Sequence, residues 1–387
     1  MHSQKKITPQ KPQTILVISR EFYPFTFGGL AKLMWQYLTR AEQFDFDVLT
    51  WKHSNREDEE RMRFLQLPFP GMIKEMRYVK GTWFYVIGFL SVIFRSRCSA
   101  MVGVAFNGAL LCAVLKVFKR VPIMSIIYDV DQLKPHSKDF HPLMKTIRRL
   151  VFKYILKYSD RIMCGSEKSM QDIAETFAIS TDKIIVNPPG RDIPENDGFK
   201  REHDNVDYFK LLTVGSVTPK VGYEFIIRAV RILLDRGFPV KLTIVGTEVS
   251  KEYGEMLRDL SERLALQKAV IFTGRVDDVW SYHWNCDVLV IASYYQQGFS
   301  MPVIEASSLG KPVVVTNYLA GSGVIVPDVT GISVEEKNPE AIANAIQRLI
   351  SDNELRVKMG KAGKEFVNRF DWNLSARNFE LSIQGMV

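Results

Sequence analysis

The 387-residue sequence holds only four cysteines, Cys98, Cys112, Cys164 and Cys286, with no C-x-x-C pair and no histidine cluster beside them. That excludes a zinc module or a disulfide framework as the basis of the fold. The six histidines, at 2, 53, 136, 141, 203 and 283, show no metal-ligand spacing either. The longest apolar stretch, Trp83 to Phe94, runs about twelve residues, against the ~20 that a membrane-crossing helix needs. It reads as a buried or an interfacial helix, and its aromatics Trp83, Phe84, Tyr85 and Phe89 read as core or as lipid-facing. Also absent are the GxxxxGK[ST] phosphate loop, the GxGxxG dinucleotide fingerprint, a solenoid repeat and any low-complexity segment. The opening MHSQKKITPQKPQ is positively charged but leads directly into a strand-like TILVIS without an apolar signal core. It reads as a disordered tail, residues 1–13, on a protein of a reducing compartment.

What is present is an ordinary globular composition, 46% hydrophobic and 24% charged, with a net charge of +8. That balance fits an anionic partner: nucleic acid, a membrane surface or a phosphorylated substrate. No nucleic-acid-binding module accompanies the charge, so nucleic acid is not expected. Lys145, Arg148, Arg149, Lys153 and Lys157 alternate at helical spacing with apolar Leu143, Ile147, Leu150, Val151, Tyr154 and Ile155. This is a basic amphipathic helix, either with a solvated face or resting on anionic lipid.

A chain of this length exceeds what one core usually serves, and two domains are expected. Short β-branched runs alternate with helical periods throughout, the pattern of parallel sheets wound by helices. In the first half the expected strands are Ile15 to Ser19, Phe46 to Thr50, Val102 to Ala105, Ile123 to Tyr128, Ile162 to Cys164 and Ile184 to Val186. In the second they are Leu211 to Val214, Lys241 to Val245, Val270 to Phe272, Val288 to Ala292 and Val313 to Thr316. Expected helices include Glu224 to Asp235, Tyr253 to Leu266, Pro339 to Ser351 and Leu355 to Phe370. A Pro-, Gly-, Asp- and Asn-rich break follows Asn187. The resulting division is an N-terminal domain 14–190, a linker 191–207, a C-terminal domain 208–370 and a closing segment 371–387. Doubly wound sheets bind ligands outside the carboxyl ends of their strands, so two of them facing each other make a cleft.

Three segments carry the chemistry. In FYPFTFGGLAKLMWQYL, Gly28 and Gly29 sit at a strand-to-helix turn, where the backbone can approach a ligand closely. In VGSVTPKVGYEFIIRAV, Gly215 and Gly222 bracket Ser216, Thr218 and Lys220, a hydroxyl and an ammonium suited to a diphosphate. In VLVIASYYQQGFSMPVIEASSLGKPVVVT, a strand ends near Ser293 and a loop crosses Gln297, Gly298 and Phe299. A helix begins near Pro302, directing the Ser300 and Met301 amides at an anion. Glu305 lies one turn into that helix, eight positions after Gln297, where a carboxylate can accept two ribose hydroxyl protons.

The third segment resembles the E-x7-E region of the retaining glycosyltransferases of family 4, which have the GT-B fold. SEKSMQDI, NPPGRD, VG…GYEFIIRA, IVG at 244 to 246, FTGRV at 272 to 276 and DNELRVKMGKAGKEFVNRFDW extend the resemblance over nearly the whole chain. It implies an α/β GT-B protein, two Rossmann-like doubly wound domains facing across a cleft, with a C-terminal helix crossing back to the first. By position it also implies that Glu305 holds the ribose and that Ser300, Met301 and Pro302 lie by the diphosphate. Arg275 and Val276 border the base, and Gly28 and Gly29 approach from the other side.

The sequence departs from the family at telling places. Ser216 and Val221 stand where the family has a diphosphate-binding arginine and lysine, and Lys220 is one place early. Two missing cations weaken leaving-group stabilisation on the order of several kcal/mol unless replaced. Gln297 replaces the first glutamate, and Tyr128-Asp129 replaces the family's His-Asp, which makes Asp129 and Gln297 the candidate catalytic residues. His136 and His141 follow in the same loop, near the acceptor or simply solvated. Asp129-Val130-Asp131 also reads as a metal-binding D-x-D, but it lies in the first domain while the other donor signals lie in the second.

The expectation is metal-independent retaining transfer, without a cofactor, from a nucleotide diphosphate sugar such as UDP-glucose or UDP-glucuronic acid. The expected acceptor is a glycan or lipid-linked saccharide in cell-surface or extracellular polysaccharide synthesis, and the expected place is the cytoplasm, peripheral on the inner membrane face. The rivals are a nucleotide-sugar-binding protein with weak or no transfer and a GT-B nucleotide-sugar epimerase.

Overall fold

The computed structural model describes residues 13–19, 29–51, 61–67, 90, 92, 97–128, 142–191, 207–294 and 299–387. Among these, the first half forms β1 (Gln13–Ile18), α1 (Gly29–Arg40), β2 (Phe44–Trp51), β3 (Met62–Leu67), β4 (Ala100–Val104) and α2 (Ala105–Lys119). It continues through β5 (Ile123–Ile126), α3 (Pro142–Tyr158), β6 (Arg161–Cys164), α4 (Glu167–Phe177) and β7 (Ile184–Val186). The strands make one parallel sheet in the order β3-β2-β1-β4-β5-β6-β7. β4 and β5 bury every side chain, as strands covered by helices on both faces must.

The second half starts with β8 (Phe209–Val214), α5 (Tyr223–Asp235), β9 (Val240–Val245), α6 (Lys251–Arg263), β10 (Val270–Gly274) and α7 (Trp280–Asn285). Next come β11 (Val288–Ile291), α8 (Met301–Ser308), β12 (Val313–Thr316), α9 (Asn317–Ala320) and β13 (Ile332–Val334). The chain closes with α10 (Pro339–Ser351), α11 (Asn353–Phe366) and α12 (Trp372–Gln384). Its strands are also parallel, in the order β10-β9-β8-β11-β12-β13. The strand order reverses beside β1 in one sheet and beside β8 in the other, and such switch points open a crevice at the carboxyl ends.

The structure differs from the sequence expectations in several boundaries. β1 begins at Gln13, so the expected tail is one residue too long. β4 stops at Val104 because Ala105 takes a left-handed conformation, φ 55°, that turns the chain into α2. β5 stops at Ile126, short of Tyr128. β3 and β13 were not anticipated. The expected helix Leu355 to Phe370 is two elements: α11 starts earlier, capped by the Asp352 side chain, and a short 3₁₀ turn over Val367–Arg369 follows it. Asp371 then accepts from the amides of Asn373 and Leu374 and starts α12, as an N-cap carboxylate does. The tail 1–12, the stretch Trp83 to Phe89 and residues 192–206 lie outside the described residues.

α12 packs on the first sheet's domain. Its Trp372, Ala376, Phe379 and Ile383 share a core with Leu33, Tyr37 and Phe46, and the Tyr37 and Phe379 rings stack at 5.0 Å. Glu380 Oε1 accepts from the Glu42 and Gln43 amides, both at 2.7 Å, satisfying donors just past the end of α1. No helix among the described residues is long and apolar enough to cross a membrane.

Candidate functional site

The carboxyl ends of β8, β9 and β10 are tied together by their backbones. Gly215 N donates to Val245 O at 3.0 Å, Val217 N to Thr247 O at 2.9 Å, and Gly246 N to Gly274 O at 2.9 Å. The approach is tight enough that a methyl group added at Gly246 would lie 1.8 Å from Gly215 O. Ser216 and Lys220 on the β8 loop and Arg275 and Val276 after β10 therefore belong to one rim. Ser216 and Arg275 are exposed, Lys220 is half-buried, and Val276 leans on the core beneath β11.

The loop after β11 joins the same rim. Gly222 adopts φ 72°, and a methyl group there would lie 2.6 Å from Ala292 O, so only glycine lets the two loops approach this closely. Tyr294 Oη donates to Pro219 O at 2.7 Å. Farther along, Ser300 is the N-cap of α8, with Met301 and Pro302 in the first turn. Its side chain is 1% exposed, makes no capping hydrogen bond, and its Oγ has no partner at all. Ser293 Oγ, at the other end of the loop, is likewise buried without a partner. Buried hydroxyls are normally paired, and the orphan Ser300 Oγ at an open helix N-terminus is a group that a polar ligand could complete. Glu305, one turn into α8, has a 15% exposed side chain whose Oε2 lies 3.3 Å from His283 Nε2. Nothing along the chain assigned His283 a role.

Phe299 looks across to the first domain. Its ring packs edge-on against Phe370 at 5.1 Å, and a methyl group added at Gly165, just after β6, would meet Phe299 Cβ at 3.6 Å and Tyr128 Cε1 at 2.6 Å. The carboxyl ends of the two sheets thus confront each other. Tyr128, which follows β5, does not extend that strand. Its hydroxyl donates to Asn187 O and lies 3.2 Å from Tyr37 Oη. Asn187 Nδ2 in turn donates to Tyr37 Oη and to Ser375 O, both at 2.9 Å, and Ser375 Oγ donates to Pro188 O at 2.7 Å. This buried network clasps α1, the end of β7 and α12. Burial pushes Tyr37 up to about 12 and raises Tyr128 well above its ordinary value, with neighbouring Tyr37 adding to the shift. Tyr128 is a structural hydroxyl, which the family's histidine at this position did not suggest.

Gly29 begins α1. Gly28, Asp129, Asp131, His136, His141, Gln297 and Gly298 lie outside the described residues. Among the described residues, no three His, Cys, Asp or Glu side chains gather into a group that could hold a metal ion. A pocket of about 590 Å³ lies apart from the rim, on the open face of β8, β9 and β10, where Tyr208, Lys210, Lys241 and Asn285 line it. It shares only Val276 with the rim residues, and its lining includes none of the residues of α8.

The basic helix α3 splits its apolar residues between two faces. Phe152, Ile155 and Leu156 are buried, whereas Ile147, Leu150 and Tyr154 are exposed, as are Val114, Val117 and Phe118 of neighbouring α2. Arg148, expected on the charged face, instead has its guanidinium 4.8 Å from the Phe106 ring centre; its long stem and planar head suit packing over an aromatic.

Comparison with known proteins adds relatives and fold neighbours. Residues 195–366 match the model described as Glycosyl transferases group 1. An uncharacterized glycosyltransferase of Methanocaldococcus jannaschii is 27% identical over 354 residues, covering 91% of this chain and 92% of its own length. The sucrose-phosphate synthase structure from Thermosynechococcus elongatus superposes with a TM-score of 0.83 at 21% identity, over 96% of this chain and 98% of that one. HepE of Anabaena, solved in complex with UDP-glucose, superposes with a TM-score of 0.76 at 15% identity, over 96% of this chain and 100% of that one. The two facing parallel sheets and these superpositions give the chain the GT-B fold, and its residues 195–366 match the group 1 glycosyltransferases.

Proposed function

We propose that the chain transfers a hexose, with retention and without a metal, from a UDP-sugar to a hydroxyl of a glycan or lipid-linked saccharide. The observation that carries the reading is the N-terminus of α8, where Ser300 is buried at the N-cap with an unpartnered Oγ. A diphosphate placed there accepts from that hydroxyl and from the free amides of the first turn, and it meets the positive end of the helix. Ser216 and Lys220 stand on the neighbouring β8 loop, and Glu305 is one turn down α8, at the right remove for the ribose. Arg275 and Val276 border the base. The complex of HepE with UDP-glucose supports uracil and a hexose over other donors.

The transferred sugar then lies between the two rims, where Gln297 and Asp129 are assigned to its hydroxyls and Gly28 and Gly29 to the far side of the diphosphate. With glutamine in place of the first glutamate, that position gives hydrogen bonds but no negative charge to a developing oxocarbenium ion. The helix N-terminus and Lys220 therefore carry the stabilisation of the departing UDP.

The acceptor is assigned to a cytoplasmic anionic membrane face in cell-surface or extracellular polysaccharide synthesis. The support is the outer surface of α2 and α3, where Val117, Phe118 and Leu150 are each more than 60% exposed beside exposed Lys153 and Lys157. Apolar side chains flanked by lysines match the interface of an anionic bilayer.

The test is a melting-temperature panel of UDP, GDP, ADP, UDP-glucose and UDP-glucuronic acid with and without EDTA, followed by detection of released UDP. A ligand that binds only the native state raises the midpoint by mass action. UDP-sugars raising it and releasing UDP in EDTA support the reading. Binding without any release favours the nucleotide-sugar-binding rival, and no response to any of the panel defeats both.

A further inference from the structure

We infer that His283 is a positioning residue that orients the Glu305 carboxylate toward the donor's ribose; the inference rests on the donor-site reading above. His283 lies in α7, the crossover that leads into β11, and its side chain is 0% exposed. Neither ring nitrogen has a hydrogen-bond partner. Yet Nε2 lies 3.3 Å from Glu305 Oε2, within contact distance but outside hydrogen-bond alignment. A small rotation of the Glu305 side chain, which at 15% exposure is less enclosed than the ring, brings the pair into line.

The imidazole has little room to move toward the carboxylate, because its side chain is fully buried in a helix held at both ends. Its own amide donates to Val279 O at 3.2 Å, and its carbonyl accepts from Cys286 Sγ at 3.3 Å. Just beyond, the buried Lys311 ammonium donates to Trp284 O at 2.6 Å and to Cys286 O at 2.8 Å. The ring is therefore the fixed partner and Glu305 the adjustable one. A buried imidazole with both nitrogens unpaired is costly, so the pair is driven toward the aligned state. In that state Nε2–H occupies Oε2 and leaves Oε1 to accept the hydroxyl protons of a ribose diol. The role parallels a ligand oriented by a neighbour that does not itself touch the substrate.

The experiment compares His283→Phe and His283→Met, which lack a donor, with His283→Gln and His283→Asn, which keep one. Each variant is titrated with whichever of UDP, GDP and ADP the unaltered chain binds, and with the 2′-deoxy form of that nucleotide. The unaltered chain is expected to prefer the ribonucleotide roughly tenfold, the scale of one hydrogen bond to a charged group. That preference collapses to about one in the donor-less variants and returns in at least one amide variant. If His283→Phe does not fold, His283→Met carries the comparison. Melting midpoints of a His283→Met, Glu305→Gln cycle give a ligand-free readout: the double variant loses less than the two singles together.

An undiminished ribose preference in His283→Met and His283→Phe overturns the positioning role while leaving the donor site intact. Additive melting losses also overturn it. If the unaltered chain binds none of the nucleotides, the donor reading falls and the positioning role falls with it, even where the melting cycle shows the side chains to be coupled.

Discussion

Gly190 lies flush against the backbone of Trp372: a methyl group added at Gly190 would meet the Trp372 nitrogen at 2.4 Å and its Cα at 2.5 Å. The two residues are the point where the chain leaving the first sheet meets the start of the helix that returns to it. Backbone has no rotamer with which to yield, so Gly190→Ala must displace α12. A loss of about 1–3 kcal/mol is expected, measured by chemical denaturation. Hydrogen exchange should locate the loosening in residues 372–384 rather than in the second sheet.

Beside that contact, the hydroxyls of Tyr37 and Tyr128 are held protonated by burial. The native state keeps these protons more tightly than the unfolded chain, whose tyrosines ionise near 10. Stability is therefore intact below about pH 10 and falls as pH rises through about 12, each group removing about 1.4 kcal/mol per pH unit. Tyr128→Phe should flatten the alkaline decline in melting temperature relative to the unaltered chain. An unchanged slope would show that other groups set it.

At the donor rim, Ser300→Ala removes a buried hydroxyl that has no partner in the unliganded protein. Its melting temperature should stay the same or rise slightly, since an unsatisfied group is lost. UDP affinity should nevertheless fall by about tenfold, the scale of a hydrogen bond to a charged oxygen. Calorimetry separates the two effects, and unaltered affinity would remove Ser300 from the site.

On the proposed membrane contact of α3, Lys153→Glu with Lys157→Glu should reduce binding to vesicles containing phosphatidylserine by at least about thirtyfold, taking about 1 kcal/mol per lysine. Arg148 is unsuited to this test because it packs over Phe106. Binding to neutral vesicles should change little, and an equal loss on both would point to damage of the fold.

Much of this was legible along the chain, because parallel strands buried on both faces show as short β-branched runs and the glycines of βα loops stand at their ends. Gly215, Gly222 and the Ser300–Glu305 segment fell where strand-to-helix turns were expected. Less visible were β3, whose Met-Arg-Phe-Leu pattern carries a charge at the second position, and β13, which is three residues long. Contacts between distant residues were beyond reach. Tyr128 was read beside Asp129 as part of a family motif, but its partners Tyr37 and Asn187 lie 91 and 59 positions away. His283 looked like an isolated histidine because Glu305, whose carboxylate lies 3.3 Å away, is on the following helix with β11 between them.

The most direct test of where the donor binds is hydrogen exchange of the intact chain with and without saturating UDP. Slower exchange across residues 299–305 and the β8 loop at 215–222 is the predicted result. Unchanged exchange there, with protection instead around Tyr208, Lys210 and Lys241 on the open sheet face, would contradict the account.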